Sequence, residues 1–128
     1  MEIENVFKIA ADHSKVREYL TKEGWRFQGK DEEMEMDSFI DKSGKRLFAE
    51  DISEDFPVTF LMGELALNEF SKIANGLTPG IELLEVDSSW EGKATTIVVA
   101  MTETQVKSMF GRRARMRRVS VQPTDLQT

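Results

Sequence analysis

Residues 24–38 read Gly24-Trp25-Arg26-Phe27-Gln28-Gly29-Lys30-Asp31-Glu32-Glu33-Met34-Glu35-Met36-Asp37-Ser38, and along them the apolar period becomes two. Trp25 and Phe27 alternate with Arg26 and Gln28; Glu33, Glu35 and Asp37 then alternate with Met34, Met36 and Ser38. Successive side chains of a strand point to opposite faces, so this spacing belongs to a strand with one wet face. Asp41-Lys42-Ser43-Gly44 supplies a turn, and Leu47 to Ile52 reads as the antiparallel return. The hairpin gives the chain its β component.

On the N-terminal side, Ile3, Phe7, Ala10, Val16, Tyr19 and Leu20 recur at helical spacing and predict a first helix that ends at Gly24. The alternative is a short strand over Ile3 to Ile9, followed by a shorter helix capped by Asp12 or Ser14. On the C-terminal side, Ser53-Glu54-Asp55 breaks the pattern. Pro57 opens the apolar run Val58 to Met62, which is either a third strand or the first turn of a helix. Leu65, Ala66, Phe70, Ile73 and Leu77 form the stripe of a second helix, with Asn75-Gly76 as its stop. Ile81 to Val86 and Thr95 to Val99 read as a second hairpin around a polar loop at Asp87 to Gly92. Thr102-Glu103-Thr104-Gln105 matches a capping box and starts a third helix that reaches at least Phe110, with Gly111 as its end. The expectation is an α+β fold of order α-β-β-β-α-β-β-α, an antiparallel sheet packed against helices. It occupies a single domain over residues 1–112, and residues 113–128 form a basic, mobile C-terminal tail.

The 128 residues are 40% apolar and include 8 Phe and 2 Trp, enough for one hydrophobic core. Without any Cys the chain has no disulfide, thiolate nucleophile or Cys-ligated zinc, and a reducing cytoplasm is the expected compartment. Met1-Glu2-Ile3-Glu4 is acidic where a signal peptide is basic, and Ile97 to Met101 is far too short to span a bilayer, so neither export nor membrane insertion is expected. The net charge of −6 is unevenly spread. Residues 1–106 carry 11 Lys and Arg against 22 Asp and Glu, a net −11, whereas residues 107–128 carry 6 against 1, a net +5.

Several local matches fail on chemistry. Gly24 to Asp31 has the glycine and lysine spacing of a phosphate loop, but Asp31 stands where Mg²⁺ needs a hydroxyl, and the interior is bulky and aromatic. Asp12-His13-Ser14 contains triad residue types, yet adjacent side chains diverge, so it reads as a solvated helix start. His13 is the only histidine, which rules out a multi-His metal site, and Asp41 to Gly44 lacks the acidic ladder of a calcium loop. Glu33, Glu35 and Asp37 would project from one strand face and either gather a cation or basic partner or simply form the wet side. No catalytic, cofactor-binding or metal-binding residue is assigned, and no cofactor is expected.

The sharper feature is the basic cluster Lys107, Arg112, Arg113, Arg115, Arg117 and Arg118, with five Arg in the seven positions 112–118. Such a cluster grips nucleic-acid phosphates, docks on an acidic protein surface or folds against its own body. The acidic body repels a polyanion over about a Debye length of ~8 Å. Arg117-Arg118-Val119-Ser120 also has the form of a basophilic kinase site, where a phosphate would partly neutralise the cluster.

The order of elements, with Val16-Arg17-Glu18-Tyr19-Leu20 to Gly24-Trp25, Leu67-Asn68-Glu69-Phe70-Ser71-Lys72 and the cap at Thr102 to Gln105, resembles the class I type III secretion chaperones and the related YbjN-like bacterial proteins over residues 12–112. The resemblance implies a homodimer without cofactor or catalysis that holds a protein partner on apolar surface. The Arg-rich tail belongs to neither pattern. The expected function is a non-enzymatic, dimeric, chaperone-like protein-binding module of the cytoplasm, with a nucleic-acid-associated regulator acting through the tail as the alternative.

Overall fold

A computed structural model describes residues 5–90 and 93–119. Their order is β1 (Asn5–Ile9), α1 (His13–Lys22), β2 (Arg26–Asp31), β3 (Met36–Ile40), β4 (Arg46–Asp51), β5 (Thr59–Gly63), α2 (Leu67–Leu77), β6 (Leu83–Trp90), β7 (Lys93–Ala100), α3 (Glu103–Phe110) and β8 (Met116–Val119). The class is α+β. All eight strands join one sheet in the order β2-β3-β4-β5-β1-β7-β6-β8.

The sheet is mixed, which corrects the expectation of a purely antiparallel one. Strands β2, β3, β4, β5 and β1 form one antiparallel block and β7, β6 and β8 a second. The seam between them is the parallel pair β1 and β7, with Phe7 opposite Val98 and Ile9 opposite Ala100. Local alternation distinguishes strand from helix but does not reveal which distant strand lies alongside.

The element order also needs correction. Residues 5–9 are a strand and Asp12 caps α1, accepting from Ser14 N–H and Oγ at 3.0 and 2.8 Å. The stretch 25–38 is two strands, because Asp31 bends the chain: its carbonyl accepts from Glu35 N–H at 2.8 Å and its side chain from Met34 N–H at 2.9 Å. Glu33 and Glu35 therefore lie in a turn, while Asp37 lies on β3. The ambiguous run at 58–62 is a strand, β5. The expected loop at 87–92 is largely strand, with β6 and β7 paired as far as Trp90 and Lys93. The boundary at residue 112 falls inside the fold, since β8 pairs with β6 from Val86–Met116 to Leu83–Val119. Residues 120–128 of the expected tail lie outside the described residues.

Alternation along the strands builds a layer on each face. Phe7, Ile9, Phe39, Leu47, Ala49 and Leu61 pack against Val16 and Leu20 of α1 and Phe70, Ile73 and Ala74 of α2. Phe7 stacks on Phe70 with ring centroids 4.3 Å apart, tying β1 to α2. On the opposite face, Leu84, Val86, Ile97 and Val99 pack with Val106 of α3, and Met36, Phe48, Phe60 and Met62 form an adjoining cluster.

Two glycines permit close approach. Gly63 has φ +132°, and a Cβ there would lie 2.7 Å from the Arg46 carbonyl oxygen on the neighbouring strand. Gly76 does not stop α2, which runs on to Leu77; a Cβ there would press into the Tyr19 ring, so its small size lets α1 and α2 meet. Among the described residues no helix is long and apolar enough to cross a membrane.

Candidate partner-binding surface

The basic cluster begins on α3. Thr102 and Gln105 close its capping box, with Gln105 N–H donating to Thr102 Oγ1 at 3.1 Å and Thr102 N–H donating to Gln105 Oε1 at 2.9 Å. Val106 is fully buried, and Lys107 is exposed. Gly111, with φ +104°, ends the helix; Ala114 N–H donates to its carbonyl at 3.1 Å, closing a turn that carries Arg112 and Arg113. The chain then returns along β6 as β8.

Antiparallel pairing places the last two arginines on opposite faces. Arg117 reaches two carboxylates of β6: Nη2 lies 3.3 Å from Glu85 Oε2 and 3.1 Å from Asp87 Oδ1. Hydrogen bonding from Arg117 holds the Asp87 carboxyl below its ordinary range, and the same bond raises the guanidinium. On the other face, Arg118 Nε lies 3.2 Å from Glu82 Oε2. All three contacts are solvent-exposed, where water and salt screen an ion pair and leave it little net stabilisation. Arg115 accepts Asp87 N–H through its carbonyl at 3.2 Å.

The six sequence-predicted cations are thus divided. Arg117 and Arg118 are held by the protein's own carboxylates, and Arg115 is tied by its backbone. Lys107, Arg112 and Arg113 are exposed and make no ion pair among the described residues. The sequence reading missed Lys8, whose Nζ lies 4.7 Å from the Phe110 ring centroid at the end of α3 and whose pKa is lowered by burial. No local pattern marks a lysine on β1 as a neighbour of residue 110.

His13 Nε2 is 2.7 Å from Asp37 Oδ2, a pair separated by 24 positions that sequence spacing does not announce. A catalytic imidazole held by a carboxylate must offer its second nitrogen to substrate. Here Nδ1 is buried without a hydrogen-bond partner among the described residues. Asp12 and Ser14 serve the helix cap, and Gly24 to Asp31 is a helix end running into β2. Among the described residues no cluster of three or more His, Asp or Glu is arranged to hold a metal ion.

At the far edge of the sheet, Arg17 of α1 lies 3.7 Å over the ring of Phe27, which also contacts Phe39 with centroids 5.5 Å apart. Phe27 is 37% exposed, the one large apolar side chain so open among the described residues. No family model matches the chain, and no curated protein or solved structure matches it either.

Proposed function

We propose that this protein is a non-catalytic, dimeric protein-binding module of the cytoplasm with a chaperone-like role. The observation that carries this reading is the interleaving of charges at the basic end. Arg117 sits between Glu85 and Asp87 and Arg118 beside Glu82, so each guanidinium comes with a carboxylate. A surface of alternating sign complements another protein's mixed surface, whereas a phosphate backbone meets repulsion from each carboxylate. Lys107, Arg112 and Arg113 add an unneutralised margin that steers an acidic partner. The single imidazole is committed to Asp37 and buried at its other nitrogen, which favours binding over acid–base chemistry.

The test is affinity capture from the native cell with the full chain and with an Arg112→Glu, Arg113→Glu variant, alongside light scattering. A partner retained by the wild type and lost by the variant, with a dimer in solution, supports the reading. A monomer that captures no protein overturns it.

The same three unpaired cations favour a second reading, a nucleic-acid-associated regulator. It requires an oligonucleotide affinity that falls steeply with salt, the mark of counterion release. Salt-insensitive binding, or none, removes it.

A further inference from the structure

The two edges of the sheet are finished differently. At β2 the ladder to β3 shifts register between Phe27 and Gly29, a bulge that twists an edge away from further pairing. At β8 the ladder to β6 runs without a shift from Val86–Met116 to Leu83–Val119, and among the described residues no strand lies beyond it.

The bond from Asp87 N–H to Arg115 O fixes the parity of β8. Residues in phase with Arg115, namely Arg117 and Val119, turn their backbone groups toward β6. Met116 and Arg118 turn their N–H and C=O outward, because antiparallel ladders alternate in this way. Among the described residues the outer edge of β8 is a short row of donors and acceptors without backbone partners, bordered by Arg112 and Arg113.

We propose that this edge takes an extended, acidic segment of a partner protein as a ninth strand, an inference that rests on the protein-binding reading above. An added strand satisfies both the donors and the acceptors of the edge, whereas a phosphate chain satisfies donors only. Its carboxylates meet Arg112 and Arg113, which make no ion pair among the described residues. A second copy paired through its own β8 is the wrong occupant, since that strand, Met116–Val119, carries two arginines and no carboxylate to meet Arg112 and Arg113. Beside Arg118 lies a cleft of about 540 Å³ lined by Ile81, Leu84, Met101 and Thr102 and also by Glu82 and Glu103, so the residue of the added strand that faces it is one of the apolar ones and its carboxylates lie toward the turn.

The experiment uses the full chain and a labelled peptide of about 12 residues alternating Glu and Val, a length that overreaches β8 at both ends. Binding is read by fluorescence anisotropy and by amide hydrogen exchange. The variants are Arg118→Ala, which removes the guanidinium, and Arg118→Pro, which also removes the outward N–H but no ladder bond to β6. A third, Arg112→Glu with Arg113→Glu, changes only the exposed turn and covers the case in which the proline variant fails to fold by circular dichroism.

The expected result is slowed exchange at the Met116 and Arg118 amides on peptide addition. Arg118→Pro then weakens binding at least about tenfold beyond Arg118→Ala, and the charge reversal weakens it by a similar factor. Equal binding by the proline and alanine variants overturns strand addition, as does unchanged exchange at both amides. If the native partner is still captured by Arg118→Pro, the module binds protein elsewhere: the edge falls and the protein-binding reading stands. Binding of a poly-dT oligonucleotide in place of the peptide overturns both. Self-association lost in Arg118→Pro assigns the edge to a second copy and overturns the acidic-partner proposal.

Discussion

His13 Nε2 lies 2.7 Å from Asp37 Oδ2, fastening the first turn of α1 to the start of β3. Both side chains are about three-quarters covered, so the bond is shielded without being sealed. His13→Ala leaves the carboxylate able to reach water, and the expected loss is about 1 kcal/mol. Thermal unfolding of the variant should begin about 3–6 °C lower. An unchanged midpoint would show that the pair is ornamental.

Gly63 is expected to be the least tolerant glycine in the sheet. Alanine at this position needs φ +132° and sets its Cβ 2.7 Å from the Arg46 carbonyl, a backbone atom held by Glu64 N–H at 2.9 Å. Gly63→Ala should destabilise by more than about 2 kcal/mol, read as a lower midpoint in urea with an unchanged slope.

Thr102 provides a milder probe. Replacing it by Ala removes the acceptor for Gln105 N–H and half of the reciprocal cap on α3. About 1 kcal/mol should be lost. Because Val106 anchors α3 to the sheet, the amides of this helix should exchange faster while those of α1 are unaffected.

Acid should weaken the fold in a defined window. Asp12 and Asp51 have lowered pKa values through hydrogen bonds from Ser14 and Ser53. Asp41 is pushed up by partial burial, yet bonds from Ser43 and Lys45 bring it below its ordinary value. A carboxyl whose folded pKa is depressed binds protons more readily when unfolded. The stabilisation is therefore complete above the unfolded value of about 3.9 and is lost as pH falls through the lower folded values. Replacing Ser14, Ser43 and Ser53 by Ala should flatten the dependence of the midpoint on pH below that value. A curve identical to the wild type would mean that other carboxyls control acid unfolding.

Removal of residues 112–128 tests whether β8 is part of the fold. The deletion strips four ladder positions from β6 and uncovers the edge beside Leu84 and Val86. The truncated chain should melt at least about 5 °C lower. A tail outside the domain would leave the midpoint unchanged.

What could be read in the sequence was local. The cap at Thr102, the turn at Asp41 to Gly44 and the helical stripe of Leu65 to Leu77 rest on neighbouring residues, and each has its counterpart in the structure. Asp12-x-Ser14, Asp41-x-Ser43 and Asp51-x-Ser53 form the same bonded turn three times, a repeat visible in sequence once sought. What could not be read was pairing. Glu33, Glu35 and Asp37 keep strand alternation through a turn that the Asp31 side chain imposes, so one strand appeared where there are two. The arginines at 115, 117 and 118 looked like a solvated tail because their partners, Glu82, Glu85 and Asp87, lie about 30 positions earlier. The division of the basic cluster into engaged and unpaired cations follows from that register alone.

The parallel seam at β1 and β7 orders the birth of this fold. β1, which precedes the other described strands in the chain, belongs at the centre of the finished sheet, between β5, which begins at Thr59, and β7, which begins at Lys93. The five-stranded block can close once β5 has emerged, and its exposed flank at β1 then waits for the last third of the chain. A polypeptide stalled before Lys93 would carry an open central strand, the kind of unpaired edge on which nascent chains adhere to one another.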